Sequence, residues 1–493
     1  MISLTLENFK ALSKKGNLIP IFKEISLDYD NPLSILKKIS SKKYCFLLES
    51  SDGPEKWSQY SFLGFDPNLI ISSEKNKITI KSTNNKTTKL NGDIFVKLKE
   101  IMGDFKPVIV DNLPRFYGGL VGFFSYEIIN QIENIFKNSG ATGDFPDSLF
   151  MLTDSVIIFD NINKTAKIVI NAHIKDSNKI DKYYKNALSQ INKIEKLLKF
   201  SNNNLYKKDN KFKKTTSPIK SNFTKSNFMN AVKKIKSYVK KGDVIQTVVS
   251  QRWETKYEDD PINLYRSLRK LNPSPYMFYL KMEKSLIVGA SPEVLVRLEN
   301  NKVESRPIAG TRPRGIDTEE DLKMEKDLLS DPKELAEHVM LVDLARNDIS
   351  RVCKNSTVNV TEMMGIERYS HVMHIVSHVE GLIDKKKDAF DLLKSTFPAG
   401  TLSGAPKIRA MQIINELEPN QRGPYGGSVG YFGFSGNMDM SIVIRSFYIK
   451  NKTLYFQAGA GIVADSIPKN EYDETKNKSK AMLNAIRKSL NNE

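Results

Sequence analysis

Short apolar runs and helical periodicities are interleaved along almost the whole chain, which predicts a mixed α/β architecture. Residues 44–48, Tyr-Cys-Phe-Leu-Leu, predict a buried strand. Residues 118–124 predict another, whose glycines permit close backbone contact. Residues 155–160 predict a strand paired with 166–172 across the turn at 161–164, and 178–199 predict a polar helix. Residues 200–225 are rich in Asn, Lys, Ser and Thr, with few apolar anchors. The pattern then tightens. An amphipathic helix is expected over 228–241, stopped by Gly242 at its C′ position. Strands are expected near 244–254, 277–282, 285–290 and 293–298. Asp331 and Pro332 supply an N-cap and an N1 proline for a helix reaching about Arg346. Past Gly400 come glycine-rich segments, strands near 428–434, 440–450 and 453–459, and a closing helix from about Tyr472. No internal repeat is visible. The division this suggests is 1–198, a Lys/Asn-rich linker at 199–225, and 226–493.

A length of 493 residues with 40% hydrophobic content suits two to four domains or one large composite unit. Such a core needs no disulfide or metal staple. The net charge of +18 would suit nucleic acid or an anionic substrate. However, eight lysines against one acid lie between Lys199 and Lys225, so much of the excess is local. No RNP-like motif, zinc-finger spacing or long basic helix accompanies it, and RNA binding is the weaker reading. Cys45 and Cys353 form no metal or redox motif and favour a reducing compartment. The start of the chain has no apolar signal region, and no apolar run approaches the length of a membrane span. The expectation is a cytoplasmic protein without a membrane partner.

Three arrangements carry chemistry. Glu334 and Glu337 share one face of the helix opened by Pro332, and Glu471 and Glu474 share one face of the last helix. Four such carboxylates suit Mg²⁺, although acids in a first helical turn are also favoured by the helix dipole alone. Arg445 alternates onto the same strand face as Val443 and Phe447, where a guanidinium needs an anionic partner unless the strand is an edge reaching solvent. Glycine turns at 307–311, 400–404, 426–427 and 459–461 can bring backbone N–H groups close to an anion. None is a Walker A loop or a strand–GxGxxG–helix unit. His371, His374 and His378 have helical ligand spacing, but the valines and isoleucine between them favour a strand of packed, satisfied histidines.

Taken together these segments resemble the chorismate-utilising enzymes, specifically the anthranilate synthase component I family. The resemblance covers nearly the whole chain and is weakest over 173–225. It rests on NPSPYMFYL (272–280), GASPEVLVRL (289–298), RPIAGTRPRG (306–315), ELAEHVMLVDLARND (334–348), GTLSGAPKIRAMQ (400–412), GPYGGSVGYFG (423–433), IVIRS (442–446), QAGAGIVADS (457–466) and DETKNK (473–478). It implies two β-sheets packed as a sandwich with helices around them, and an active site in the C-terminal portion. Glu334, Glu337, Glu471 and Glu474 match the acids around Mg²⁺. Thr401, Tyr425, Arg445 and Gly459-Ala460-Gly461 match substrate carboxylate contacts, and Gly310 and Thr311 match further contacts. Glu293 and His374 match acid/base residues, with Thr401 beside them in the catalytic set.

Two positions separate relatives. Aminodeoxychorismate synthases, the alternative assignment, carry Lys where this chain has Ala309, which has no nucleophile. Isochorismate and salicylate synthases carry a water-activating Lys where this chain has Gln246. Both positions favour ammonia as nucleophile and anthranilate as product. Leu47-Leu48-Glu49-Ser50 and Pro275-Tyr276-Met277 resemble the family's feedback site for tryptophan, although Gln59 stands where Arg is common. The implied partner is a glutamine amidotransferase subunit, component II, in a heterotetramer with two copies of each.

Overall fold

The structure is a computed structural model describing residues 2–27, 30–50, 59–83, 86–133, 135, 144–199, 217–369 and 372–491. His371 and most of the expected linker, 200–216, lie outside the described residues.

Two 12-stranded sheets form the body of the molecule among the described residues, and every strand pairing within them is antiparallel. The first begins with Leu18–Ser26, Thr165–His173, Ser155–Asp160, Tyr60–Phe65 and Tyr44–Glu49. It passes into the second half of the chain where Tyr44–Glu49 pairs with Tyr276–Met282. It continues through Ser285–Ser291, Ser446–Lys450 and Thr453–Ile462 to Gln246–Lys256. The second sheet joins early and late segments where Gly119–Phe124 pairs with Ser428–Gly433. Glycine is required at that seam: a Cβ on Gly119 would stand 2.1 Å from the Phe432 carbonyl oxygen. Segments 1–198 and 226–493 therefore share both sheets.

Alternation along the strands supplies the apolar layer between the sheets. Phe46, Phe62, Ile158 and Phe278 from the first sheet meet Val121, Met151, Val429 and Tyr431 from the second. The rings of Phe62 and Tyr431 lie 6.1 Å apart, edge to face. Each such side chain contributes about 1.5–3 kcal/mol when fully buried. The outer face of the first sheet is covered by the helices Ile180–Lys199, Pro261–Leu271 and Pro468–Asn491, through Ile191, Leu268 and Ile486 among others. Ile94–Gly103, Pro332–Ser350 and Ala389–Thr396 cover the second in the same way, through Leu98, Ile349 and Leu393. The expected two-sheet sandwich is the observed fold.

Local signals set several boundaries. The Asp331 carboxylate accepts from the N–H groups of Lys333 and Glu334 and opens the Pro332–Ser350 helix. Gly242, at φ +79°, ends Lys225–Lys240. Four expectations need correction. Within 199–225, Lys199 ends a helix, Lys220–Ser221 pairs with Gln246–Lys256, and Lys225 begins the next helix. The strand expected over 440–450 is two strands, Met438–Ile442 in one sheet and Ser446–Lys450 in the other. Gly459, Ala460 and Gly461 are not a turn but the interior of Thr453–Ile462. The last helix starts at Pro468, ahead of Tyr472. Among the described residues no helix is long and apolar enough to cross a membrane.

Candidate active site

Two of the chain's crossovers between the sheets lie at neighbouring points, and each carries a charged side chain. Glu293 lies between Ser285–Ser291 of the first sheet and Val294–Glu299 of the second. Arg445 lies between Met438–Ile442 of the second and Ser446–Lys450 of the first, at φ +49°. That left-handed backbone breaks the strand alternation read from sequence, so Arg445 does not simply share a face with Val443 and Phe447. Burial is the main force on both groups. It pushes the Glu293 carboxyl up to about 8, partly offset by a hydrogen bond from Thr401 and the charge of Arg445. It lowers the Arg445 guanidinium, with Glu293 and then Tyr369 pulling back. Thr401 Oγ1, on the short Gly400–Leu402 helix, donates to Glu293 Oε1 at 3.1 Å.

His374 stands on Val372–Leu382, with Nδ1 2.8 Å from the Gly310 carbonyl and 3.1 Å from Thr311 Oγ1. A bond to a carbonyl requires the proton on Nδ1, which leaves the Nε2 lone pair available. Burial lowers the imidazole, ahead of the raising effect of the Gly310 bond, so the ring is neutral at pH 7. Gly310 takes φ +64° at an irregularity of the edge strand, between the paired residues Ala309 and Arg312. A Cβ there would stand 2.9 Å from Leu328 and 3.3 Å from Glu334 Oε2. Ala309 presents a methyl group with no nucleophilic atom.

The acidic pairs sit on two helices, as their spacing required. Burial raises Glu334, followed by the like charge of Glu337. Burial also raises Glu471, which the charge of Glu474 pushes further and that of Lys333 opposes. Glu337 Oε1 accepts from Gln246 Nε2 at 3.2 Å. Gln246 lies over Gly461, where a Cβ would approach its Nε2 to 2.6 Å. Among the described residues no three acidic, His or Cys side chains converge into a closed metal cage. The donor set still fits Mg²⁺, a cation that takes a few carboxylates and leaves positions to water and substrate oxygens. The supporting observation is that one carboxyl of each pair, Glu334 and Glu471, is raised by burial and by the charge of its neighbour.

Gly459, Ala460 and Gly461 pair with Ser250, Val249 and Val248 across the sheet. Tyr425 is buried, and its hydroxyl lies 3.1 Å from where a Gly459 Cβ would stand. The structure thus gathers Thr401 with Glu293, His374 with Gly310 and Thr311, Gln246 with Glu337 and Gly461, and Tyr425 with Gly459. Two cations escaped the sequence reading. Lys478 bridges Glu474 at 2.7 Å and donates to the Gly459 carbonyl at 3.1 Å. Its place four residues beyond Glu474 on the same helix face could have revealed it. Arg422, three residues before Tyr425, gave no periodic signal.

Ser50, Pro275, Tyr276 and Met277 line a separate pocket between the sheets. The Tyr276 hydroxyl donates to Asp439 Oδ1 at 3.0 Å and accepts from Arg297 Nη2 at 3.1 Å. Arg297 and Asp439 are ion-paired at 3.1 Å and buried there.

Known proteins resemble this chain over nearly its whole length. Residues 43–484 match the chorismate binding enzyme family. Anthranilate synthase component 1 of Acetivibrio thermocellus is 47% identical over 487 residues, covering 98% of each chain. That of Aquifex aeolicus is 47% identical over 489 residues, again 98% of each. The crystal structure of anthranilate synthase component I from Streptococcus pneumoniae TIGR4 superposes with a TM-score of 0.77 at 36% identity, covering 86% of this chain and 92% of that one. With the two-sheet sandwich and the clustered motif residues already in place, the chain belongs to the chorismate-binding enzymes, within the family of anthranilate synthase component 1.

Proposed function

We propose that this chain converts chorismate and ammonia to anthranilate and pyruvate, and that the paired glutamates hold Mg²⁺ for the reaction. The observation that carries the chemistry is the Glu293 carboxyl at about 8, hydrogen-bonded by Thr401 and facing Arg445. At neutral pH it is a protonated acid. When ammonia attacks C2 of chorismate, the C4–O bond breaks and Glu293 delivers the proton that lets hydroxyl leave as water. Neutral His374, with its Nε2 lone pair, assists the loss of the C2 proton as the C3–O bond to the enolpyruvyl group breaks. The ring becomes aromatic, and the released enolpyruvate takes up a proton at its methylene carbon to become pyruvate. Arg445 and Tyr425 hold the enolpyruvyl carboxylate, aided by Thr401 and the Gly459–Gly461 backbone, while Gly310 and Thr311 add further contacts. When bound between Glu334, Glu337, Glu471 and Glu474, Mg²⁺ would neutralise the ring carboxylate and polarise the ring.

The nitrogen source follows from the cysteines. Glutamine hydrolysis commonly needs a reactive thiolate. Burial pushes the Cys45 thiol up to about 12 and that of Cys353 to about 11. Neither suits that role. A component II glutamine amidotransferase therefore supplies ammonia, in an assembly of two copies of each chain. Tryptophan occupies the cavity at Ser50 and Pro275-Tyr276-Met277 as feedback inhibitor.

The deciding assay combines the purified chain, chorismate and Mg²⁺ with either ammonium or glutamine, and reads anthranilate fluorescence. Product is expected with ammonium and not with glutamine until the partner is added. Isochorismate, salicylate or 4-aminobenzoate as main product would sink the reading of Gln246 and Ala309. Robust product from glutamine alone would overturn the reading of the cysteines.

A further inference from the structure

Three of the elements assigned above to the substrate carboxylates, those carrying Thr401, Tyr425 and Gly459–Gly461, adjoin one buried ion pair. Arg422 is 3% exposed and forks onto Glu418, with Nε to Oε2 at 2.9 Å and Nη2 to Oε1 at 2.7 Å. Its remaining donors reach two carbonyls. Nη1 donates to Leu402 at 2.6 Å, and Nη2 also donates to Val248 at 2.8 Å. The guanidinium lies over the ring of Tyr126, 4.7 Å from its centroid, and 5.7 Å from that of Tyr425. Glu418 Oε1 in turn accepts from the Ser250 N–H at 2.8 Å and its hydroxyl at 2.7 Å.

Four of these contacts lie at or one step from a proposed substrate contact. Leu402 follows Thr401. Val248 and Ser250 stand opposite Gly461 and Gly459 in the sheet. Tyr425 presents its ring to the guanidinium. Glu127, from the first third of the chain, grips the same turn by accepting the Arg422 backbone N–H at 2.8 Å. We infer that Arg422, clamped by Glu418, is the positioning residue that sets the spacing of Thr401, Tyr425 and the Gly459–Gly461 strand around the substrate.

The physical case rests on geometry and cost. Desolvating an ion pair is unfavourable, and replacing it by apolar groups is often neutral or stabilising. Stability alone is thus a poor reason for an arginine here. What an apolar side chain cannot reproduce is a planar fork joining a carboxylate and two carbonyls on separate elements. Lysine cannot reproduce it either, because a single ammonium cannot match the fork across Glu418, Leu402 and Val248 together. With four of its five N–H donors already engaged and its surface buried, Arg422 acts through its neighbours and does not touch substrate.

The inference rests on the proposed chorismate site, so the test separates binding from turnover. Arg422→Lys and Glu418→Gln are compared with wild type for kcat, for KM of chorismate and of ammonium, and for chorismate binding by calorimetry. The expected result is a chorismate KM and dissociation constant raised roughly tenfold or more, with a smaller change in kcat and an unchanged ammonium KM. Circular dichroism is expected to match wild type. Because both variants break one network, the double variant is expected to be no worse than the poorer single one. The Glu418→Gln variant keeps shape and serves if Arg422→Lys fails to fold. A well-folded variant with unchanged chorismate KM and binding would overturn the inference. So would a lowered melting temperature with an unchanged KM, which marks a purely structural pair. Wild-type enzyme that binds chorismate without making anthranilate would sink the reaction assignment instead, leaving the binding comparison intact.

Discussion

Glu293 and Arg445 occupy adjacent crossovers between the two sheets, stitched together through their own carbonyls. The Ile442 N–H donates to the Glu293 carbonyl at 3.1 Å, and the Ala290 N–H donates to the Arg445 carbonyl at 3.2 Å. An acid and a cation are thus held side by side by backbone, without relying on side-chain flexibility. The same burial that raises the acid leaves the guanidinium in need of an anion, a need that the substrate carboxylate of the proposed reaction would answer.

The pH dependence of turnover follows from that acid. In the proposed reaction its protonated form is the active one, so activity is expected at neutral pH and is expected to be lost as pH rises through about 8. The check is kcat against pH at saturating free ammonia in every sample, because ammonium itself loses a proton on the same side. Thr401→Val removes a bond that favours the ionised form and is expected to move the falling limb to higher pH. Glu293→Gln, which cannot donate that proton, should lose about 10²- to 10⁴-fold in kcat.

Metal dependence is expected to be complete. Exhaustive EDTA treatment should abolish turnover, and added Mg²⁺ should restore it. Glu337→Gln or Glu474→Gln should weaken Mg²⁺ binding and remove most activity with little change in far-ultraviolet circular dichroism. Full activity in EDTA would refute the assignment of these carboxylates.

The cavity between the sheets predicts a variant deaf to tryptophan. Ser50 is in its lining, as are Tyr276 and Met277 on the neighbouring strand. Ser50→Phe should fill the space an indole would take and relieve inhibition while kcat without tryptophan stays near wild type. Inhibition curves on both proteins decide it, and an uninhibited wild type would end the regulatory reading.

Glu127 makes a stability prediction. It is buried, and desolvation pushes its carboxyl up to about 7, against backbone hydrogen bonds that lower it. A carboxyl raised in the folded state favours the protonated form there, so its contribution is full below the unfolded value of 4.5 and is lost as pH climbs to about 7. Above that the loss is constant. Thermal melting between pH 5 and 7.5 should therefore show a downward slope that Glu127→Gln reduces. An identical slope in the variant would mean the carboxyl titrates near its ordinary value.

Much of this molecule is local and therefore readable in one dimension. The Asp331-Pro332 start, the Gly242 stop and the strand alternation at 44–48 and 155–160 depend on dihedral preference and burial within a few residues. The pairing of Glu334 with Glu337, and of Glu471 with Glu474, is legible for the same reason, since a helix places i and i+3 together wherever it lies. The long motifs added the roles of Glu293, Thr401 and Tyr425 by resemblance.

Distance in the chain hid the rest. Residues 1–198 and 226–493 share both sheets because Glu49 meets Met277 and Gly119 meets Gly433, and such pairings are decided by which apolar faces bury each other. Periodicity read 440–450 as one strand, whereas sheet-to-sheet packing breaks it at Arg445. The glycines at 459–461 read as a turn from composition, yet they are strand positions, one of which admits Gln246 against the sheet. Glu418 and Arg422 look like an ordinary exposed pair four residues apart. Only folding buries them beside Leu402 and Val248. A residue's neighbours along the chain set its backbone preference, but its charge state and partners depend on what the whole fold brings within a few ångströms and how much water it excludes.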